Sequence, residues 1–252
     1  MSNIIQSLWI GPSLSKLEQL CLKSFIDNGH EFHLYTYEHV DNIPKDVIIK
    51  DGNEILYKSE IFRYQNGSVA AFSNLFRLAL LFKKGGIWVD TDVICVKPFI
   101  FEDEIVIMSE PDKYYNENII TSCFIKLPQN SLVAKTGMDI QKEHKKLILS
   151  GQMKWSSGPI TIKELVEKFN LDNNVKTWQT VCSCNWDHSI SLLNPNIRFP
   201  NSKIINKLDK IPKEMVCIHL WNENWRREGI DKNGIFHPES LYELFKKKHG
   251  IN

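Results

Sequence analysis

The block from Ser73 to Val96 constrains this chain more than any other segment. Leu75, Phe76, Leu78, Leu80 and Leu81 recur on a helical period, so the spacing predicts a helix from a Ser73 N-cap through Lys84, closed by Gly85-Gly86. The apolar strand core Ile87-Trp88-Val89 follows at once and runs out at Asp90-Thr91-Asp92, after which Val93 to Val96 resumes the β pattern. Carboxylates placed directly after a buried strand are costly unless something compensates them. Two apart on an extended backbone, Asp90 and Asp92 project to one side and suit a hard divalent cation with oxygen ligands. The plainer alternative is a surface turn with two solvated carboxylates.

The helix preceding the pair sharpens this choice. Asn74 and Arg77 stand three apart on one helical face, and Arg77 is the sole charge before Lys83. A cation near a helix N-terminus opposes the macrodipole, so an anion is expected beside it, either an Asp carboxylate or a phosphate.

Elsewhere the pattern is that of an α/β domain. Ile4 to Ile10 reads as a buried strand stopped by Gly11-Pro12, Ser15 caps a helix with Leu17, Leu20, Cys21 and Phe25 on one face, and Phe32 to Tyr37 reads as a second strand after Asn28-Gly29. A βαβ opening belongs to a parallel or mixed sheet whose ligand sites lie at the carboxyl ends of its strands, and Trp9 sits near such an end. The stretch from Asp41 to Gly67 shows no regular pattern. Short strands are expected at Val106 to Ser109, Ser122 to Ile125 and Val216 to Leu220, with helices at Ser131 to Leu149, Ile160 to Phe169 and from Pro238 onward. With 252 residues and no internal repeat or Pro/Gly/Ser-rich linker, the expectation is one domain over residues 1–252.

Composition excludes some partners. Lys plus Arg (31) almost balance Asp plus Glu (30), for a formal charge of +1, which argues against a nucleic-acid partner. Met1-Ser2-Asn3-Ile4-Ile5-Gln6 lacks a basic signal-peptide start and no apolar run has the length of a membrane span, so a cytoplasmic location is expected. Weak peripheral membrane contact through Lys246-Lys247-Lys248 is the only membrane reading, against the alternative of a solvated, dipole-favoured helix end. The six cysteines, Cys21, Cys95, Cys123, Cys182, Cys184 and Cys217, lack a paired C-x-x-C spacing and read as reduced; a zinc site on Cys182 and Cys184 is the weaker alternative.

Ser73-Asn74-Leu75-Phe76-Arg77 followed by Gly85-Gly86-Ile87-Trp88-Val89-Asp90-Thr91-Asp92 resembles the signature of family 32 glycosyltransferases, shared with glucosylating bacterial toxins. Ser7-Leu8-Trp9-Ile10-Gly11 resembles that family's first strand, Ser157-Gly158-Pro159 its mid-chain Gly-Pro element, and His219-Leu220-Trp221 with Trp225 its late His/Trp segment. The resemblance implies a GT-A fold, a mixed Rossmann-like sheet flanked by helices, and a manganese or magnesium ion. It also implies a nucleoside-diphosphate sugar donor, UDP-linked by preference, and transfer with retention to a glycan or other hydroxyl acceptor in bacterial surface-polysaccharide synthesis. By the same resemblance Trp9 meets the base, Arg77 the diphosphate or sugar and Asp90 the ribose and sugar, with Thr91 and Trp225 also toward the donor. Asp92 ligates the ion, with Asp90 beside it and His219 completing the metal shell. The family commonly has Asp where this chain has Asn74, which bears on a ribose contact there, although Asn still donates and accepts hydrogen bonds.

Two other readings compete. An apolar strand ending in Asp-x-Asp partly matches the nucleophile loop of haloacid-dehalogenase-like phosphatases, but that loop usually opens its domain and continues with Gly-Thr, whereas Val93-Ile94 follows here. Seven tryptophans beside an acidic pair would also suit a non-catalytic sugar-binding module, if their rings were exposed for stacking.

Overall fold

The computed structural model describes residues 4–112, 114, 116–154, 158–181, 186–198 and 204–252. Met1 to Asn3, Ser157 of the Gly-Pro element and the cysteines Cys182 and Cys184 lie outside the described residues.

Strand β1 (Ile5–Leu8), helix α1 (Lys16–Asp27) and strand β2 (Phe32–Thr36) form the expected parallel βαβ unit, with Ile5 opposite Phe32. Ser15 starts α1 through a capping box with Glu18. Strand β3 (Ile48–Asp51) then adds beside β2, within the stretch that showed no pattern. It is an edge strand with Ile48 and Ile49 exposed, and a strand that buries neither face leaves no alternation to detect.

Helix α2 (Ala70–Lys84) leads through Gly85 into strand β4 (Gly86–Val89), which pairs parallel with β1 and antiparallel with a later strand. The helix begins at Ala70, so Ser73 is no N-cap: its N–H donates to the Val69 carbonyl within the first turn. After β4 come strands β5 (Val93–Cys95), β6 (Val106–Pro111) and β7 (Asn118–Leu127), then helices α3 (Leu132–Leu149) and α4 (Gly158–Phe169). The short strands β8 (Val175–Lys176), β9 (Ile197–Arg198), β10 (Ile204–Ile205) and β11 (Cys217–His219) follow. Helices α5 (Asn222–Arg227) and α6 (Leu241–Lys248) end the chain, and Ser240 rather than Pro238 caps α6, accepting from the Glu243 N–H.

The main sheet runs β3-β2-β1-β4-β7-β6-β8 and is mixed, because β7 joins β4 and β6 antiparallel while β1, β2, β3 and β4 are parallel neighbours. This is the mixed sheet flanked by helices expected of the GT-A class. Strand β5 does not extend it. The turn after β4 sends the chain away to pair antiparallel with β11 in a separate ribbon. Each face of the main sheet buries its own core. On one side Leu17, Phe25 and Phe245 pack over Ile87 and Val89; on the other Phe72, Phe76, Leu80 and Leu165 pack over Trp88. A side chain of this size stabilises the fold by roughly 1.5–3 kcal/mol when fully buried, so β4 is held from both faces at the strand end where the acidic pair emerges.

Lys246 is 2% exposed and bonds Glu243 and the Gly234 carbonyl, while the Lys248 ammonium donates to the Val96 carbonyl. Among the described residues no helix is long and apolar enough to cross a membrane.

Gly85 makes the α2–β4 junction possible. Its φ of 66° and ψ of −165° belong to a region that only glycine visits freely, and a Cβ there would stand 2.6 Å from the Gln129 amide nitrogen. Gly85→Ala is expected to cost about 3 kcal/mol in urea unfolding with an unchanged slope. Gly29→Ala, with φ of 82° and nothing within 4 Å, serves as a control expected to cost about 1 kcal/mol.

Candidate active site

Asp90-Thr91-Asp92 is a turn, not the extended run its spacing suggested. The Asp90 N–H donates to the Cys123 carbonyl of β7 (2.8 Å), and the Val93 N–H closes back on the Asp90 carbonyl (3.2 Å). The pair therefore comes together in a turn that closes after β4 has parted from β1 and while Asp90 is still bonded to β7, and pleat periodicity is not the cause.

Asp90 is gripped on one oxygen. Its Oδ1 accepts from Arg77 Nη2 at 2.7 Å and from the Trp88 indole N–H at 2.7 Å, and the guanidinium lies 5.0 Å from the centre of the Trp88 ring. Arg77 also donates from Nη1 to Asn74 Oδ1 (3.0 Å), as the i, i+3 spacing implied. Arg77 is 4% exposed, so one buried planar fork joins α2 to the end of β4 and leaves Asp90 Oδ2 for other partners.

Asp92 belongs to the second ribbon. Its carbonyl accepts from the Leu220 N–H (2.9 Å), its Oδ2 from the Asn222 N–H (2.8 Å), and its Oδ1 lies 3.4 Å from His219 Nε2. Burial alone would raise the Asp92 carboxyl, but the His219 charge and hydrogen bond together with the Asn222 N–H hold it below the usual carboxylate range. Burial likewise opposes a charge on His219, and the neighbouring Cys123 and Asp92 outweigh it, holding the imidazole well above its ordinary value. One ligand atom each from Asp90, Asp92 and His219 lie within 4.8 Å of one another. Two carboxylates that are partly exposed to solvent and a buried imidazole fit a divalent cation.

Two cavities meet on this cluster. A smaller one of about 280 Å³ is lined by Ser7, Asn74, Arg77, Ser122 and Gly158, and a larger one of about 440 Å³ by Trp9, Ile10, His219 and Trp221. Asp90, Thr91, Asp92, Ala70, Ser73 and Asn222 line both. Residues 15–112 match the family model described as the glycosyltransferase sugar-binding region containing a DXD motif.

That segment is similar to DXD-type glycosyltransferase sugar-binding regions.

A search of curated protein sequences found no match. Among solved structures the chain is similar to the PaToxG glycosyltransferase at 15% identity, over 99% of this chain and 87% of that one, with a TM-score of 0.49. It is similar to the apo form of the glycosyltransferase GlyE of Streptococcus pneumoniae TIGR4 at 11% identity and a TM-score of 0.45, spanning 99% of this chain and 64% of that one. The UDP-bound glycosyltransferase domain from the YGT toxin matches at 11% identity and a TM-score of 0.45, over 100% of this chain and 86% of that domain.

Within the DXD region, the sequence-predicted residues Asn74, Arg77, Asp90, Thr91 and Asp92 all reach a cavity wall, and Trp9 and His219 join them from outside it. Trp225 does not. It is 0% exposed, its indole N–H donates to the Leu220 carbonyl (3.0 Å), and Phe236 and Tyr242 pack edge-on against it. A ring closed on every side serves the core, and the donor assignment of Trp225 is corrected. Trp221 takes the place at the cavity, its ring centre 3.9 Å from that of His219. Its φ of 55° and ψ of 57° are left-handed, a costly conformation for a bulky residue and of a kind that clusters at functional sites. The His-Leu-Trp run was the one available signal for it. Asn222 acts through a backbone N–H that any residue but proline supplies, and Ser122 arrives from β7, so spacing around the motif did not reveal them, whereas Gly158 belongs to the Gly-Pro element the resemblance singled out.

Gly158 is packed tightly against the polar wall: a Cβ there would stand 2.6 Å from Asn74 Oδ1, 2.7 Å from Ser122 Oγ and 3.1 Å from Arg77 Nη1. Gly158→Ala is expected to push Asn74 off Arg77 and lower the melting temperature. Gly137→Ala, which crowds only the ends of Leu78 and Leu165, is the comparison for a purely apolar clash. Equal perturbation of Arg77 reporters, such as Trp88 fluorescence, in both variants would count against a specific effect on the polar wall.

Proposed function

We propose that this chain is a metal-dependent retaining glycosyltransferase that takes a sugar from a nucleoside-diphosphate donor, UDP-linked by preference, and transfers it to a glycan hydroxyl in bacterial surface-polysaccharide synthesis. One observation carries the reading: a larger cavity with two tryptophans and a smaller polar cavity share the Asp90–Asp92 wall beside His219. A donor has the same three parts, a flat base, a charged linker and a polar sugar.

In this reading the Trp9 and Trp221 rings face the nucleoside and Ser7, Asn74 and Ser122 face the sugar hydroxyls. The first turn of α2 carries no acidic residue and lines both cavities through Ala70 and Ser73, so the positive end of its dipole faces the position of the phosphates. Arg77 holds Asp90 in place and adds a fixed positive charge close to the bond that breaks. Asp90, Asp92 and His219 would hold the manganese or magnesium ion, which when bound supplies Lewis-acid stabilisation of the departing diphosphate. Retention is assigned to same-face attack by the acceptor hydroxyl, and no protein nucleophile is assigned.

The competing readings are not favoured. A phosphatase loop of that kind continues with Gly-Thr, whereas Val93-Ile94 follows here, and residues 15–112 match a glycosyltransferase model. A stacking module would display its rings, yet Trp88, Trp178 and Trp225 are buried and, among the described tryptophans, Trp186 alone is exposed.

UDP is expected to raise the melting temperature in the presence of manganese and much less with chelator, by ligand linkage. Asp92→Asn keeps the shape but removes the charge, and should slow metal-dependent release of UDP from the donor about a hundredfold, the equivalent of roughly 3 kcal/mol. A folded Asp92→Asn protein with wild-type turnover at limiting metal would sink the assignment.

A further inference from the structure

Cys95 and Cys217 stand opposite each other across the β5–β11 ribbon. The Val96 N–H donates to the Val216 carbonyl (2.8 Å) and the Leu220 N–H to the Asp92 carbonyl (2.9 Å). The alternation of an antiparallel ladder then makes Cys95–Cys217 a non-hydrogen-bonded pair, the kind with Cα atoms about 4.5 Å apart and side chains in closest approach. Disulfides form over Cα separations of about 4.4–6.8 Å, a range that includes the spacing of such pairs. Both cysteines are free and 0% exposed, and their thiols hydrogen-bond one another.

The surroundings distinguish the two sulfurs. Cys95 Sγ also reaches the Lys97 carbonyl (3.2 Å) and lies beside the His30 imidazole, whose ring is held against Phe99 at 4.3 Å between centres. Burial would raise the Cys95 thiol, and Cys217 and His30 act against it; the imidazole beside Cys95 Sγ assigns Cys95 as the attacking sulfur of the pair.

We propose that Cys95 and Cys217 form a redox modification site at which hydrogen peroxide, an oxidant small enough to enter a closed core, produces a reversible disulfide. The Cys95 thiolate attacks one peroxide oxygen, the O–O bond breaks, and sulfenic acid forms as hydroxide leaves and is protonated to water. The Cys217 thiol then attacks the sulfenic sulfur, the S–O bond breaks, and a second water leaves with the Cys217 proton. Two thiols lose two electrons and peroxide is reduced to two waters. The disulfide would staple the ribbon whose strands start just after Asp92 and end at His219. The chemistry of the pair stands without the transferase reading; only its effect on cation binding rests on that reading.

The test uses the intact folded chain. Peroxide treatment, thiol alkylation in denaturant and peptide mass spectrometry should recover a Cys95–Cys217 crosslink that dithiothreitol removes, with Cys21 alkylated as a free thiol. In Cys217→Ala, dimedone should label Cys95. Recovery of Cys95 and Cys217 as separate alkylated thiols, or of either joined to another cysteine, would overturn the site, and the wild-type measurement decides this even where the variant does not fold. The manganese-dependent UDP melting shift is then compared between oxidised and reduced protein. A changed shift supports coupling to the cation site, and an unchanged shift beside a proven crosslink overturns the coupling alone.

Discussion

The grip of Arg77 on Asp90 organises the centre of this molecule. A guanidinium that is 4% exposed reaches from α2 to a carboxylate at the end of β4, with Asn74 on its other edge and Trp88 beneath it. Removing one partner of such a buried pair leaves the other charge uncompensated, which costs far more than the pair contributes over an apolar substitute. Its value lies in position. The fork fixes one oxygen of Asp90 and leaves the second toward the cavities, so the orientation of the carboxylate is decided before any ligand arrives.

The second half of the site is built on separate elements. Asp92 and His219 belong to the β5–β11 ribbon, joined to the main sheet by the turn that also contains Asp90. The three ligand groups thus converge from two sheets. Burial disfavours charge on both Asp92 and His219; His219 and the Asn222 N–H outweigh it at Asp92, and Cys123 with Asp92 outweighs it at His219, so the buried charges are compensated within the protein. The buried charge that makes the cluster able to take a cation is thereby tolerated in its absence. The cysteine pair two steps along the same ribbon lies on the face that carries His219, which brings a thiol pair and the cation cluster under a common geometric constraint.

Much of this was legible in the residues because it depends on local order. The α1 capping box, the Gly85 stop and the apolar core of β4 each follow from near neighbours; the i, i+3 spacing put Asn74 and Arg77 on one face, and the cation near a helix N-terminus has the carboxylate partner that was one of its two expected anions. The misreadings share a cause. Ser73 has the chemistry of an N-cap, but the apolar contacts of Ala71 and Phe72 extend the helix past it. Trp225 belongs to the right segment, yet the six residues of α5 turn its ring inward and its neighbour Trp221 toward the cavity.

The sequence by itself determined an acidic pair after a buried strand, an arginine one helix earlier, and a match to a DXD-type glycosyltransferase sugar-binding region over residues 15–112. Those features are short-range, since capping, periodicity and burial cost act over a few residues. Only the tertiary structure decided that β5 leaves the main sheet, that His219 comes within reach of Asp92, and that Ser122, Gly158 and the Asn222 N–H complete the walls. These contacts join residues up to 130 positions apart. They depend on sheet order and on which strand ends coincide in space, quantities set by the simultaneous packing of two cores and by no local pattern.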